Sequence, residues 1–158
     1  MNIGVPFVIG AALLLSACAS APGLPPSGAS LAEIEARFGK PSYRFTLPDG
    51  GTLLEFDGTG APQTYMVRMD PQGRMLGAEQ VLTEARLRTI VDGMPRQQVL
   101  MTIGHPSEVA PGGRMAGEIW SYHYRNTQCQ WFQVVMGDDD RTIGPGTFGM
   151  LPACLHQP

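Results

Sequence analysis

Three things are scarce in this sequence, and each shortage excludes a class of protein. Positive charge is sparse and dispersed: eleven basic residues stand against fourteen acidic ones, for a net charge of −3. Lys40 is the sole lysine and the arginines are scattered singly. A nucleic-acid binder needs a basic stripe and an electrostatic membrane contact needs a polybasic cluster; neither is present. Long apolar runs are missing as well. The most apolar stretch, Val5 to Leu15, covers about eleven residues, whereas a spanning helix needs roughly 20. Cysteine is limited to Cys18, Cys129 and Cys154, with no Cys-x-x-Cys spacing to suggest a metal site.

Catalytic signatures are missing too. There is no Gly-x-Ser-x-Gly elbow, no His-Glu-x-x-His and no phosphate loop. His105, His123 and His156 are scattered and read as structural or solvent-exposed. Asp138-Asp139-Asp140 lacks the spaced pattern of a calcium loop and suits a solvated hairpin turn. Gly144-Pro145-Gly146 opens no predicted helix, so phosphate binding is not expected there. The chain reads as a non-enzyme, with no catalytic residue, metal, cofactor or small-molecule substrate.

What is present begins at the amino terminus. The short apolar run fits the h-region of a secretory signal, although Met1 to Pro6 carry no Lys or Arg. Leu15-Ser16-Ala17-Cys18 resembles the lipobox of bacterial lipoproteins. That resemblance implies a signal peptide over residues 1–17, diacylglycerol on the Cys18 sulfur, and a chain anchored by fatty acyl groups such as palmitate. More than one such chain anchors a protein stably. Ala19 in place of Asp favours, by analogy with lipoprotein sorting, the outer membrane of a Gram-negative cell and its periplasmic face. The alternative is an ordinary cleaved signal with a coincidental cysteine. Residues 18–29 are broken by Pro and Gly and read as a flexible tether with a reach on the order of 35 Å. Export would let Cys129 and Cys154 pair. A loop of about 26 residues would then contribute roughly 3–4 kcal/mol in the chain-entropy model. Two free thiols or a metal pair are the other reading.

The rest of the chain repeats itself. Ile34-Glu-Ala-Arg-Phe38-Gly39-Lys-Pro41-Ser42 matches Val99-Leu-Met-Thr-Ile103-Gly104-His-Pro106-Ser107. Leu53-Leu-Glu-Phe56 matches Ile119-Trp-Ser-Tyr122. Thr64 to Met69 matches Trp131 to Met136, and Arg74-Met-Leu-Gly77 matches Arg141-Thr-Ile-Gly144. The blocks keep one order, which defines a first unit at 30–82 and a second at 83–158.

Each unit reads as helix, then antiparallel strands. Ser30-Leu-Ala-Glu33 is a capping box, Leu31, Ile34 and Phe38 share a face, and Gly39 with Pro41 stops the helix. Strands are predicted at 43–47, 52–56, 64–69 and 74–81. In the second unit Thr83 caps a helix carrying Leu87, Ile90 and Val91 that ends at Gly93. Pro95 opens a second helix, which Gly104 and Pro106 close. Strands follow near 118–125, 130–137 and 141–144. The prediction is an α+β fold with helices on one face of the sheet.

Ile90-x-x-Gly93-Met94, Val99, Gly104-x-Pro106 and Trp120-x-Tyr122 resemble the signature of the SmpA/OmlA (BamE-like) outer-membrane lipoproteins. That family's fold is two helices followed by a three-stranded antiparallel sheet. The second unit matches it over nearly its whole length, while the first is a degenerate copy without a clear first helix. A tandem of two units is similar to the β-lactamase inhibitor protein, where two repeats present one concave sheet. The resemblance implies a protein-binding module in envelope biogenesis or integrity, with an accessory role in barrel assembly as one candidate process. The alternative is an inhibitor-type module that binds a periplasmic or external hydrolase. Trp120, Tyr122, Tyr124 and Trp131 are the candidate partner contacts, because a sheet with helices on one side leaves its other face open.

Overall fold

The computed structural model describes residues 24–57, 62–113 and 117–154. Cys18, the residues of the signal peptide and His156 lie outside the described residues. Two four-stranded antiparallel sheets, each in simple sequential order, form an α+β fold. The first unit holds α1 (Leu31–Phe38), β1 (Tyr43–Thr46), β2 (Thr52–Asp57), β3 (Thr64–Met69) and β4 (Met75–Gln80). The second holds α2 (Glu84–Leu87), α3 (Arg96–Ile103), β5 (Glu108–Pro111), β6 (Glu118–His123), β7 (Gln130–Met136) and β8 (Thr147–Met150). Among the described residues no helix is long and apolar enough to cross a membrane.

Helix α1 starts where its capping box dictates. The Ser30 hydroxyl accepts from the Glu33 amide, and the Glu33 carboxylate accepts from the Ser30 amide. Its apolar face, Leu31, Ile34 and Phe38, packs on Leu54, Phe56, Val67 and Met69 from one face of the first sheet. Alternation along β2 and β3 sends Glu55, Thr64 and Met66 to the other face. These are buried as well, because α3 and its stop turn lie there. Gly104 sits against Glu55 and Thr64, and Met101 shares a groove with Leu53 and Met66. The first sheet is thus covered on both faces. The second sheet buries Trp120, Tyr122, Tyr124, Phe132, Val134 and Met136 beneath Leu87, Ile90, Val99 and Ile103.

Several expectations are corrected. The repeats form two separate sheets rather than one concave sheet, and the second has four strands rather than three, while the first has the four expected. The helix after Thr83 keeps its cap, since the Arg86 amide donates to the Thr83 hydroxyl, but it runs only to Leu87. The β-branched run Thr89-Ile90-Val91 is a poor helix former, and the backbone there has other partners. The Gly93 amide donates to the Thr142 carbonyl, the Thr142 hydroxyl to the Val91 carbonyl, and the Gly144 amide to Asp92. Those same bonds occupy 141–144, where a strand is predicted; the segment makes isolated bridges, Pro95–Arg141 and Met136–Thr142, and the outer strand is β8. Pro95 is the cap itself and offers no side-chain hydrogen bond. The Arg96 amide is satisfied instead by the Asp140 carbonyl.

Candidate binding face and the junction between the units

Strand β6 alternates, and so do its environments. Trp120, Tyr122 and Tyr124 point at the helices and are 3%, 0% and 5% exposed. They are core residues, which removes them as partner contacts. Their polar tips are committed. The Trp120 indole N–H donates to Glu118 at 2.9 Å, with the Arg96 guanidinium 4.9 Å over the ring. The Tyr122 hydroxyl donates to the Gly104 carbonyl at 3.1 Å, and burial, helped by the Glu55 charge, pushes its pKa well above the ordinary value. The Tyr124 hydroxyl donates to Gln130.

Trp131 is different. The register pairs His123 with Trp131 and Ser121 with Gln133, so Ile119, Ser121 and His123 share the outer face with Trp131, Gln133 and Val135. Most of this face is half-buried. Gln133 donates to the Ser121 hydroxyl at 3.0 Å, and the His123 ring lies 6.1 Å from Trp131. Gly149 stands directly opposite Trp131 on β8. A Cβ there would come within 3.0 Å of the indole nitrogen, so the glycine makes room for the ring. A disulfide joins Cys129, at the start of β7, to Cys154 in the 3-10 turn Pro152–Cys154 after β8. Asn126 orders the β6–β7 connection by accepting from the Gln128 and Gln130 amides.

The junction between the units is built around a carboxylate. Glu55, on β2, is 0% exposed. It accepts from the His105 backbone N–H at 2.7 Å and lies 2.8 Å from the same residue's Nδ1. Tyr43 stacks on the imidazole with ring centres 3.4 Å apart. Burial raises the Glu55 pKa above the ordinary carboxylate value, and the hydrogen bonds and charge of His105 oppose that rise. Beside this pair a cleft of about 320 Å³ is lined by Tyr43, Asp57, Gln63, His105, Ser107 and His123.

Sequence reasoning missed this junction. Alternation alone places Glu55 on a polar strand face with Asp57 and reads that face as solvated. The available signal was the aligned position Ser121, together with the histidine inside the Gly-x-Pro stop. His105 is a structural residue of the junction. Asp138-Asp139-Asp140 is a hairpin turn, with the Asp140 amide bonded to the Gly137 carbonyl and its side chain paired with Arg96. Gly144 meets Asp92, at the end of the loop that follows α2.

No family model and no curated protein matches the chain. Among solved structures, a cysteine-rich secretory protein from Staphylococcus aureus subsp. aureus Mu50 is similar at 10% identity and a TM-score of 0.31. The match covers 82% of this chain and 46% of that one, so the chain spans less than half of that protein's length. A likeness at that score carries no argument about what the chain does.

Proposed function

We propose that this chain is a non-catalytic lipoprotein of the bacterial outer membrane that binds another envelope protein through the outer face of its second sheet. Lipid on Cys18 would hold the body at the periplasmic face through the Pro/Gly-rich tether. Envelope biogenesis or integrity, with barrel assembly as one candidate process, follows from the resemblance to the SmpA/OmlA lipoproteins carried by Gly93-Met94, Gly104-x-Pro106 and Trp120-x-Tyr122. The observation that supports the binding surface is Trp131. Its indole lies on the face away from the helices, on the same face as Ile119 and Val135, and large aromatics at such positions dominate binding energies.

A photo-cross-linker at position 131 in native membranes should trap an envelope protein, and Trp131→Ala should lose that partner in a pull-down. Recovery of nothing above background removes the reading. A trapped hydrolase that loses activity would instead favour the inhibitor-type module. Mass spectrometry of the mature amino terminus tests the anchor separately: acyl chains on Cys18 support it, and an unmodified thiol refutes it.

A further inference from the structure

The contact between the units includes one buried ionisable pair, Glu55 with His105, and the repeat shows that the pair is an addition to the scaffold. The aligned positions in the other unit are Ser121 for Glu55 and Lys40 for His105, and Ser121 bonds within its own sheet. Among the described residues only the first sheet carries a buried carboxylate on this face, and only there does a helix-stop turn from the other unit meet it. We propose that Glu55 and His105 form a pH-responsive clasp between the two units, closed while the pair holds one shared proton and loosened when that proton is lost.

The geometry supplies the argument. With one proton between them, the pair is either carboxylate with imidazolium or carboxylic acid with imidazole. In both forms Oε2 and Nδ1 share a hydrogen bond at 2.8 Å while Oε1 accepts from the His105 backbone N–H. Removing the proton leaves an anion with no countercharge at a site of zero exposure. A buried charge without a partner is strongly destabilising.

The surrounding groups do not relieve that charge. Asp57, on the same strand, adds repulsion. Tyr43 from β1 covers the imidazole, and the Tyr122 hydroxyl from β6 is committed to Gly104. His123, across the cleft, lies 3.5 Å from Glu108 rather than from Glu55. Among the described residues both hydrogen-bond partners of the Glu55 carboxylate belong to His105. Room for the turn is equally specific, because a Cβ on Gly104 would lie 2.8 Å from Glu55 Oε1.

The direction of the effect follows from linkage. Burial raises the Glu55 pKa in the folded protein. A group raised on folding contributes its full stability below its unfolded pKa and loses it as pH rises through the folded one. The clasp therefore weakens with rising pH, in a window that begins at the ordinary carboxylate range and extends upward. It does not depend on the identity of any partner protein.

Urea unfolding of the purified full chain, followed by circular dichroism between about pH 5 and 8.5, tests the proposal. The wild-type midpoint should fall across this range. Each pKa unit of elevation corresponds to about a tenfold loss in the folded-to-unfolded ratio. Glu55→Gln keeps an acceptor for the His105 N–H and a donor for Nδ1 but cannot ionise, so its profile should lack that fall. His105→Asn keeps a donor toward the carboxylate but removes the imidazole whose hydrogen bond and charge oppose the rise in the Glu55 pKa, so the fall should be deeper and extend to higher pH. Parallel profiles for wild type and Glu55→Gln would overturn the clasp. So would a His105→Asn profile that declines where the wild type does, and that variant decides alone if Glu55→Gln does not fold.

Discussion

Gly39 and Gly104 end equivalent helices with nearly the same backbone angle, φ +81° and +83°. A Cβ on Gly39 would meet nothing within 4 Å, whereas one on Gly104 would meet Glu55 Oε1 and Thr64 Cγ2 at 2.8 Å. Gly39→Ala should therefore cost only the strain of holding a side chain at this backbone conformation, on the order of 1–2 kcal/mol. Gly104→Ala adds a displaced buried carboxylate and should cost about 3 kcal/mol or more. Urea midpoints of the two variants measure the difference, and equal losses would refute it. Glu118 gives the opposite pH signature to Glu55. The hydrogen bond from Trp120, followed by that from Arg96, lowers its pKa. Its contribution is present above the ordinary carboxylate range and disappears as pH falls through the lowered value. Trp120→Phe removes the leading cause, so the Glu118 carboxyl, followed by NMR, should titrate closer to its ordinary value. The group is 41% exposed, and solvent screening keeps the stability change small.

At the level of single elements, α1 depends on its cap. Ser30→Ala removes the side-chain half of the box and should lower stability by about 1 kcal/mol. The disulfide ties the Pro152–Cys154 turn back to the start of β7. Replacing Cys129 and Cys154 by Ser should cost roughly 3 kcal/mol in the chain-entropy model, and thermal denaturation of the variant measures it. Elements signalled by local chemistry were legible in the sequence: the capping box of α1, the glycine stops, and β1–β4, β6 and β7, with their alternating patterns. Elements decided by distant partners were not. β5 is a four-residue exposed edge strand ending in Pro111, with no buried face to leave a pattern. α2 stops early because Val91, Asp92 and Gly93 bond to 142–144, about fifty positions away, and the same exchange shifts the outer strand to β8. Of the four aromatic candidates, period two correctly separated Trp131 from the other three. It could not say which set faces the helices, because both sets are aromatic and the face is chosen by Ile90, Val99 and Ile103 packing on Tyr122 and Phe132.

For the molecule as a whole, the far face of the first sheet commits the two units to each other. Glu55, Thr64 and Met66 are buried there, against the second unit. The span 24–82 expressed alone would expose all of them, and should show no cooperative unfolding transition where the full chain shows one. Two resolved transitions in the full chain would instead show independent units. The second sheet also sets what an optical measurement reports. Both tryptophans of the chain, Trp120 and Trp131, belong to that sheet, one on each side. An aqueous quencher should dim the emission of Trp131 and spare that of Trp120. Intrinsic fluorescence thus distinguishes occupancy of the outer face from loosening beneath the helices, without a label.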